Sequence, residues 1–113
     1  MKPEIIQRHP IRPRITEIEL CAWLARAAPG DVLEYHRGFL GVDLTPFANP
    51  MSPEARAGLA RTGARAYDLA ERGLVHLVQH RLDADSFSYR AIARPRTGRA
   101  PIAVESLMSE EAA

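Results

Sequence analysis

Arginine is the residue type in this chain with the plainest chemistry. Of the fifteen basic residues all but Lys2 are arginines, and a guanidinium presents a planar fork of donors that matches carboxylate and phosphate oxygens. The charge is laid out in blocks: residues 1–14 sum to +3, 15–60 to −3, 61–100 to +4 and 101–113 to −3. Any anion-binding surface therefore draws on the third block and the first. Stepping by 100° per residue along a helix places Glu54, Gly58, Arg61, Arg65, Asp68 and Arg72 on one face, in a row of i,i+3 and i,i+4 neighbours. A solvated row of charges is the simplest reading of that face.

Other chemistries find little support. His76 and His80 share a strand face with His36 a candidate to join them, but an i,i+4 pair on a strand is separated by about 13 Å, too far for one metal ion. Ser52, Ser86, Ser88, Ser106 and Ser109 fall in a cap, a turn, a strand and the tail, with no base arranged beside any of them. Arg37-Gly38-Phe39-Leu40-Gly41 lacks the spacing and the following helix of a phosphate loop. Cys21 lies among apolar residues and reads as a small buried side chain. Trp23, Tyr35, Tyr67 and Tyr89 occur singly on different elements and read as core or boundary aromatics. Tyr35-His36-Arg37-Gly38 mixes an aromatic, a histidine and an arginine beside a glycine, a composition suited to a contact loop. No catalytic residues, metal site, cofactor or small-molecule substrate are expected.

The elements that must position these residues are well punctuated. Thr16 with Glu19 forms a capping box, and Ile15 can staple onto Leu20, so a first helix starts there. Ile18, Cys21, Ala22, Ala25 and Ala28 recur at helical spacing, Leu24 widens the stripe, and Pro29-Gly30 ends it. Val32 to His36 reads as a strand, with Phe39 to Val42 extending or pairing with it around Arg37-Gly38. Asp43 to Met51, holding Pro46, Asn49 and Pro50, reads as a loop. Ser52-Pro53-Glu54 opens a second helix that runs to about Arg72 and is stopped by Gly73; Ala55, Leu59, Thr62, Ala66, Leu69 and Ala70 form its buried stripe. Gly58 and Gly63 each cost that helix about 1 kcal/mol relative to alanine, so they either soften it or admit a neighbouring backbone.

From Leu74 the period changes to two. Leu74, His76, Val78, His80 and Leu82 take one side and Val75, Leu77, Gln79 and Arg81 the other; Asp83-Ala84-Asp85-Ser86 supplies a turn; then Phe87, Tyr89, Ala91 and Ala93 alternate with Ser88, Arg90 and Ile92. Residues 1–14, with Pro3, Pro10 and Pro13, read as an extended arm, 15–94 as one α+β domain, and 95–113 as a flexible acidic tail in which Ile102 to Met108 could dock.

A chain of 113 residues, 46% hydrophobic and 26% charged, has globular proportions and room for one modest core, which excludes the disordered and fibrous classes. No apolar run approaches the roughly 20 residues that span a bilayer, and the basic start has no apolar segment with a cleavage site behind it. A cytoplasmic protein without a membrane partner is the expectation.

The string A-Y-D-L-A-E-R-G-L-V-H-L-V-Q-H-R-L followed by F-S-Y-R-A-I-A-R resembles the recognition helix and wing of winged-helix proteins. That family places a helix-turn-helix before the hairpin, whereas the segment between the two helices here reads as strand and proline-rich loop. A-A-P-G-D-V-L-E-Y-H-R-G-F-L, with the hairpin strings after it, is also similar to small uncharacterised prophage proteins of GC-rich bacteria. The winged-helix resemblance implies a DNA-binding role in which Arg61, Arg65 and Arg72 meet phosphates while Arg81, Arg90, Arg94 and Arg96 flank double-stranded DNA.

The expected fold is thus α+β, two main helices on a small antiparallel sheet in the order α-β-(β)-α-β-β, winged-helix-like. The expected function is a non-catalytic nucleic-acid-binding regulator of phage or mobile-element type, acting in transcription. The alternative is a protein-interaction module, an inhibitor, adaptor or homodimer, because a hairpin with Leu74, Val78 and Leu82 on one side and Val75 and Leu77 on the other has apolar groups on both faces to cover.

Overall fold

The Thr16 side chain accepts a hydrogen bond from the Glu19 amide at 3.1 Å, and Glu19 Oε1 accepts from the Thr16 amide at 2.9 Å. This reciprocal cap starts α1 (Glu17–Arg26) where the sequence places it; such a cap contributes about 1 kcal/mol. The computed structural model describes residues 15–45, 51–96 and 102–109, except the side chains of 41 and 42. The arm 1–14, the loop prolines and the remaining tail residues lie outside the described residues. Leu20, Cys21 and Leu24 form the buried face of α1, while Ile18, counted in the apolar stripe, stands 60% exposed.

β1 (Val32–Gly38) follows a turn at Pro29-Gly30, where Gly30 takes φ +91°. Beyond it the structure departs from the expected second strand: Leu40–Asp43 is one helical turn, α2. The cause is side-chain capture of the backbone donors. Asp43 Oδ2 accepts from the Phe39 amide at 3.1 Å and Tyr89 Oη accepts from the Leu40 amide at 2.9 Å, so neither amide is left for a sheet ladder.

α3 (Pro53–Glu71) opens with Ser52 Oγ accepting from the Ala55 amide and proline at its first position. It closes at Gly73, whose φ of +77° lets the Leu74 amide reach back to the Leu69 carbonyl at 3.0 Å. The hairpin β2 (Val75–Asp83) and β3 (Ser86–Ala93) then folds about Ala84-Asp85. The antiparallel sheet has the order β1-β3-β2, so β3 is central.

Alternation along β3 divides the sheet. Tyr89, Ala91 and Ala93 join Leu20, Cys21, Leu24, Ala66, Leu69 and Val75 in the core beneath α1 and α3, whereas Ser88, Arg90 and Ile92 face the other way. The last described element, α4 (Val104–Met108), packs on α1 and buries Leu107 completely. Residues 102–109 are therefore part of the folded unit and not of a flexible tail. The two ends of the described chain are held together through this apolar contact.

Candidate functional site

Arg65 sits on α3 among Leu59, Thr62, Ala66 and Leu69, and only 7% of it is exposed. Its Nε donates to Glu17 Oε2 at 2.9 Å and its NH1 to Asp68 Oδ2 at 3.0 Å. The remaining donors reach the end of α4, NH2 to the Met108 carbonyl at 2.8 Å and NH1 to the Ser109 carbonyl at 3.3 Å. Arg72, two turns on, shares Asp68 at 2.9 Å and donates to the Ser106 carbonyl at 3.0 Å and the Leu107 carbonyl at 3.3 Å. The last carbonyls of a helix have no partners inside it, and two guanidinium forks supply them here. Burial works against the charge on Arg65, but the Glu17 hydrogen bond and the Glu17 and Asp68 charges outweigh it, and its pKa is raised.

These two arginines thus form a clasp inside the fold. In this conformation neither has a free fork for a phosphate, which corrects the expectation that Arg61, Arg65 and Arg72 line up as one solvent-facing row. Only Arg61 of the three is exposed, with no charged partner among the described residues.

The hairpin arginines are scattered as well. Arg81, at the hairpin tip, donates to the Asp83 carbonyl at 3.2 Å and lies 5.8 Å from the Phe87 ring centroid. Arg90 is on the outer face of the sheet, its Nε donating to Ser88 Oγ at 2.9 Å. Ser88 donates in turn to Glu34, which also takes Arg37 at 2.9 Å, so a network crosses β1 and β3. Arg94, exposed, and Arg96, half-buried, follow β3 at the sheet end away from Arg81. Along β2 that separation is on the order of 20 Å. The structure brings together Arg65 with Arg72 and no larger group of the seven.

The outer sheet face is instead mixed and open. Val32 pairs with Ile92, and Ile92 with His76; Val78 lies opposite Arg90. β2 is an edge strand, exposed at every position beyond Val75 except the half-buried Leu77, with Val78 at 36% and Leu82 at 39% exposure. His76 and His80 share this face, while His36 pairs beside Tyr89 on the helix side, so the sheet itself separates the three histidines. Among the described residues no cluster of three metal-ligating side chains exists. Burial pushes the Cys21 thiol pKa up, the inert direction for a thiol.

A hollow of about 340 Å³ opens between the start of α1, β1 and α3. A register shift between Glu34 and His36 makes Tyr35 the extra residue of a β-bulge, so Tyr35 and His36 both line the hollow instead of alternating across the sheet. His36 Nε2 lies 2.7 Å from Asp43 Oδ2. Tyr35 and Tyr89 rings stand 6.4 Å apart, and Phe87 and Phe39 extend the aromatic group. Reading the aromatics one element at a time missed this assembly, since bulge and register are not marked in the residue types.

Compared with known proteins, the chain matches no family model, no curated protein and no solved structure. The winged-helix and prophage resemblances rest on the residues quoted for them. Among the described residues no helix is long and apolar enough to cross a membrane.

Proposed function

We propose that this domain is a non-catalytic, cytoplasmic protein-interaction module that self-associates through the free edge of β2. The observation that carries the reading is the disposition of that strand. Among the described residues it pairs on one side only, with β3, and its Val78 and Leu82 side chains stand exposed. An edge strand offers a row of backbone donors and acceptors to another strand, and natural edges that must stay single carry inward charges, proline or coverage. From His76 to His80 this edge has none of the three among the described residues. Two copies meeting edge to edge would extend the sheet and cover the apolar side chains that flank it.

Light scattering coupled to size exclusion tests this. The chain should elute as a dimer, and Val78→Lys should convert it to a folded monomer with stability changed by less than about 0.5 kcal/mol. A monomeric parent chain at high micromolar concentration would defeat the reading.

A second reading, a winged-helix-like regulator of mobile-element type that binds double-stranded DNA, is favoured by a specific observation. A long helix leads directly into a hairpin, and Arg61, Arg94 and Arg96 have no carboxylate partner among the described residues. Adding duplex DNA to the same scattering experiment separates the two. Retention at low salt that is lost in an Arg61→Glu, Arg94→Glu double variant would support the second reading over the first.

A further inference from the structure

The hollow between α1, β1 and α3 holds groups whose bonding is incomplete. Side-chain exposure of His36 is 5%, and among the described residues its only side-chain hydrogen bond is Nε2 to Asp43. Asp43 Oδ2 already accepts from the Phe39 amide, so the carboxylate is the acceptor and the imidazole Nε2–H the donor. With Nε2–H so engaged, the Nδ1 of a neutral imidazole is left as an acceptor with no partner among the described residues. Tyr35 is 7% exposed and its hydroxyl likewise has no partner among the described residues. A buried donor and a buried acceptor that line one hollow, both unmet among the described residues, call for a group that can satisfy them.

Two more features belong to the same hollow. Arg61 lines it with a guanidinium unpaired among the described residues, whereas the Glu17 carboxylate, also in the lining, is compensated by Arg65. Gly58 also lines it, and a Cβ built there would meet nothing nearer than Arg61 NH2 at 3.8 Å. No backbone approaches Gly58, so what the missing side chain leaves is space in the hollow. Ile15, Ile18 and Leu59 supply an apolar wall.

We propose that this hollow is a binding site for a small organic anion with an apolar body and a hydroxyl group, a hydroxylated carboxylic acid of single-ring size. The hydroxyl accepts from Tyr35 Oη and donates to His36 Nδ1. The body lies against Ile18 and Leu59, and the carboxylate meets the Arg61 fork at the mouth. The β-bulge is the device that makes this possible, since regular alternation would have turned Tyr35 and His36 to opposite faces of the sheet.

Titration of the full chain with para-hydroxyphenylacetate, phenylacetate and para-hydroxyphenylacetamide, followed by amide chemical shifts and calorimetry, tests the site. The first probe should bind with shifts at Ile18, Tyr35, His36 and Leu59. Removing its hydroxyl should weaken it about fivefold and neutralising its carboxylate roughly tenfold. Tyr35→Phe should erase the first difference and Arg61→Gln the second, and Gly58→Leu, which fills the space beside the Arg61 guanidinium, should block all three probes. Absence of shifts at these residues at millimolar probe, or variants that keep the parent ranking, would overturn the proposal. Neither result depends on whether β2 pairs with a second copy.

Discussion

Arginine plays opposite parts on the two sides of this molecule. Between α3 and α4, Arg65 and Arg72 turn inward, meet Glu17 and Asp68, and supply donors to the carbonyls of Ser106 through Ser109. On the outer sheet face Arg37 and Arg90 lie flat along a polar network with Glu34 and Ser88, next to exposed Val32 and Val78. The residue type is the same, and what differs is which distant carboxylates and carbonyls the fold delivers. A guanidinium becomes structural when burial and several acceptors arrive together, and an isolated one such as Arg61 keeps its fork available.

The sharpest way to break this contrast is Arg65→Ala. Removing it leaves the half-buried Glu17 carboxylate and the α4 carbonyls without their donor, and should cost about 3 kcal/mol in chemical denaturation, with earlier proteolysis near α4. A loss under about 0.5 kcal/mol would place Arg65 with the exposed charges, and the contrast would dissolve.

Alkaline pH sharpens the same contrast by titrating the inner side. Burial raises the pKa of both Cys21 and Tyr35 above their ordinary values of 9.0 and 10.0. The unfolded chain releases these protons first, so their contribution to stability is full below pH 9.0 and declines as pH rises through the folded values. Denaturation midpoints should fall from that point upward, with a shallower fall in Cys21→Ala; a midpoint flat to pH 11 would contradict burial of both groups.

The smallest effect expected is at Gly63, where an added Cβ meets nothing within 4 Å. Gly63→Ala should raise stability by about 1 kcal/mol through helix propensity alone. A loss there, measured by thermal unfolding, would reveal a close approach on the outer side of α3.

Much of the frame was legible because its signals are local. Thr16 with Glu19, Ser52 with Pro53, Gly73 and the alternation from Val75 to Ala93 each act within a few residues, and each stands where expected. What escaped depends on partners far along the chain. Phe39 to Val42 looks like a strand until Tyr89 and Asp43 take its amides, and Ile102 to Met108 gains its place from packing on α1 and from Arg65 and Arg72. Angular position put Arg65 in a charged row correctly, but nothing in that row says that Glu17, 48 positions earlier, would draw it inward. The hollow was illegible for the same reason, since the bulge at Tyr35 arises from register with β3.

The docking of Leu107 on α1 sets an order for biogenesis. Leu20 and Cys21 are among the first described residues made, yet their cover arrives with residues 104–108. A chain synthesised only as far as the hairpin has its sheet and long helix but a bare apolar flank, the kind of surface that holdase chaperones and proteases recognise.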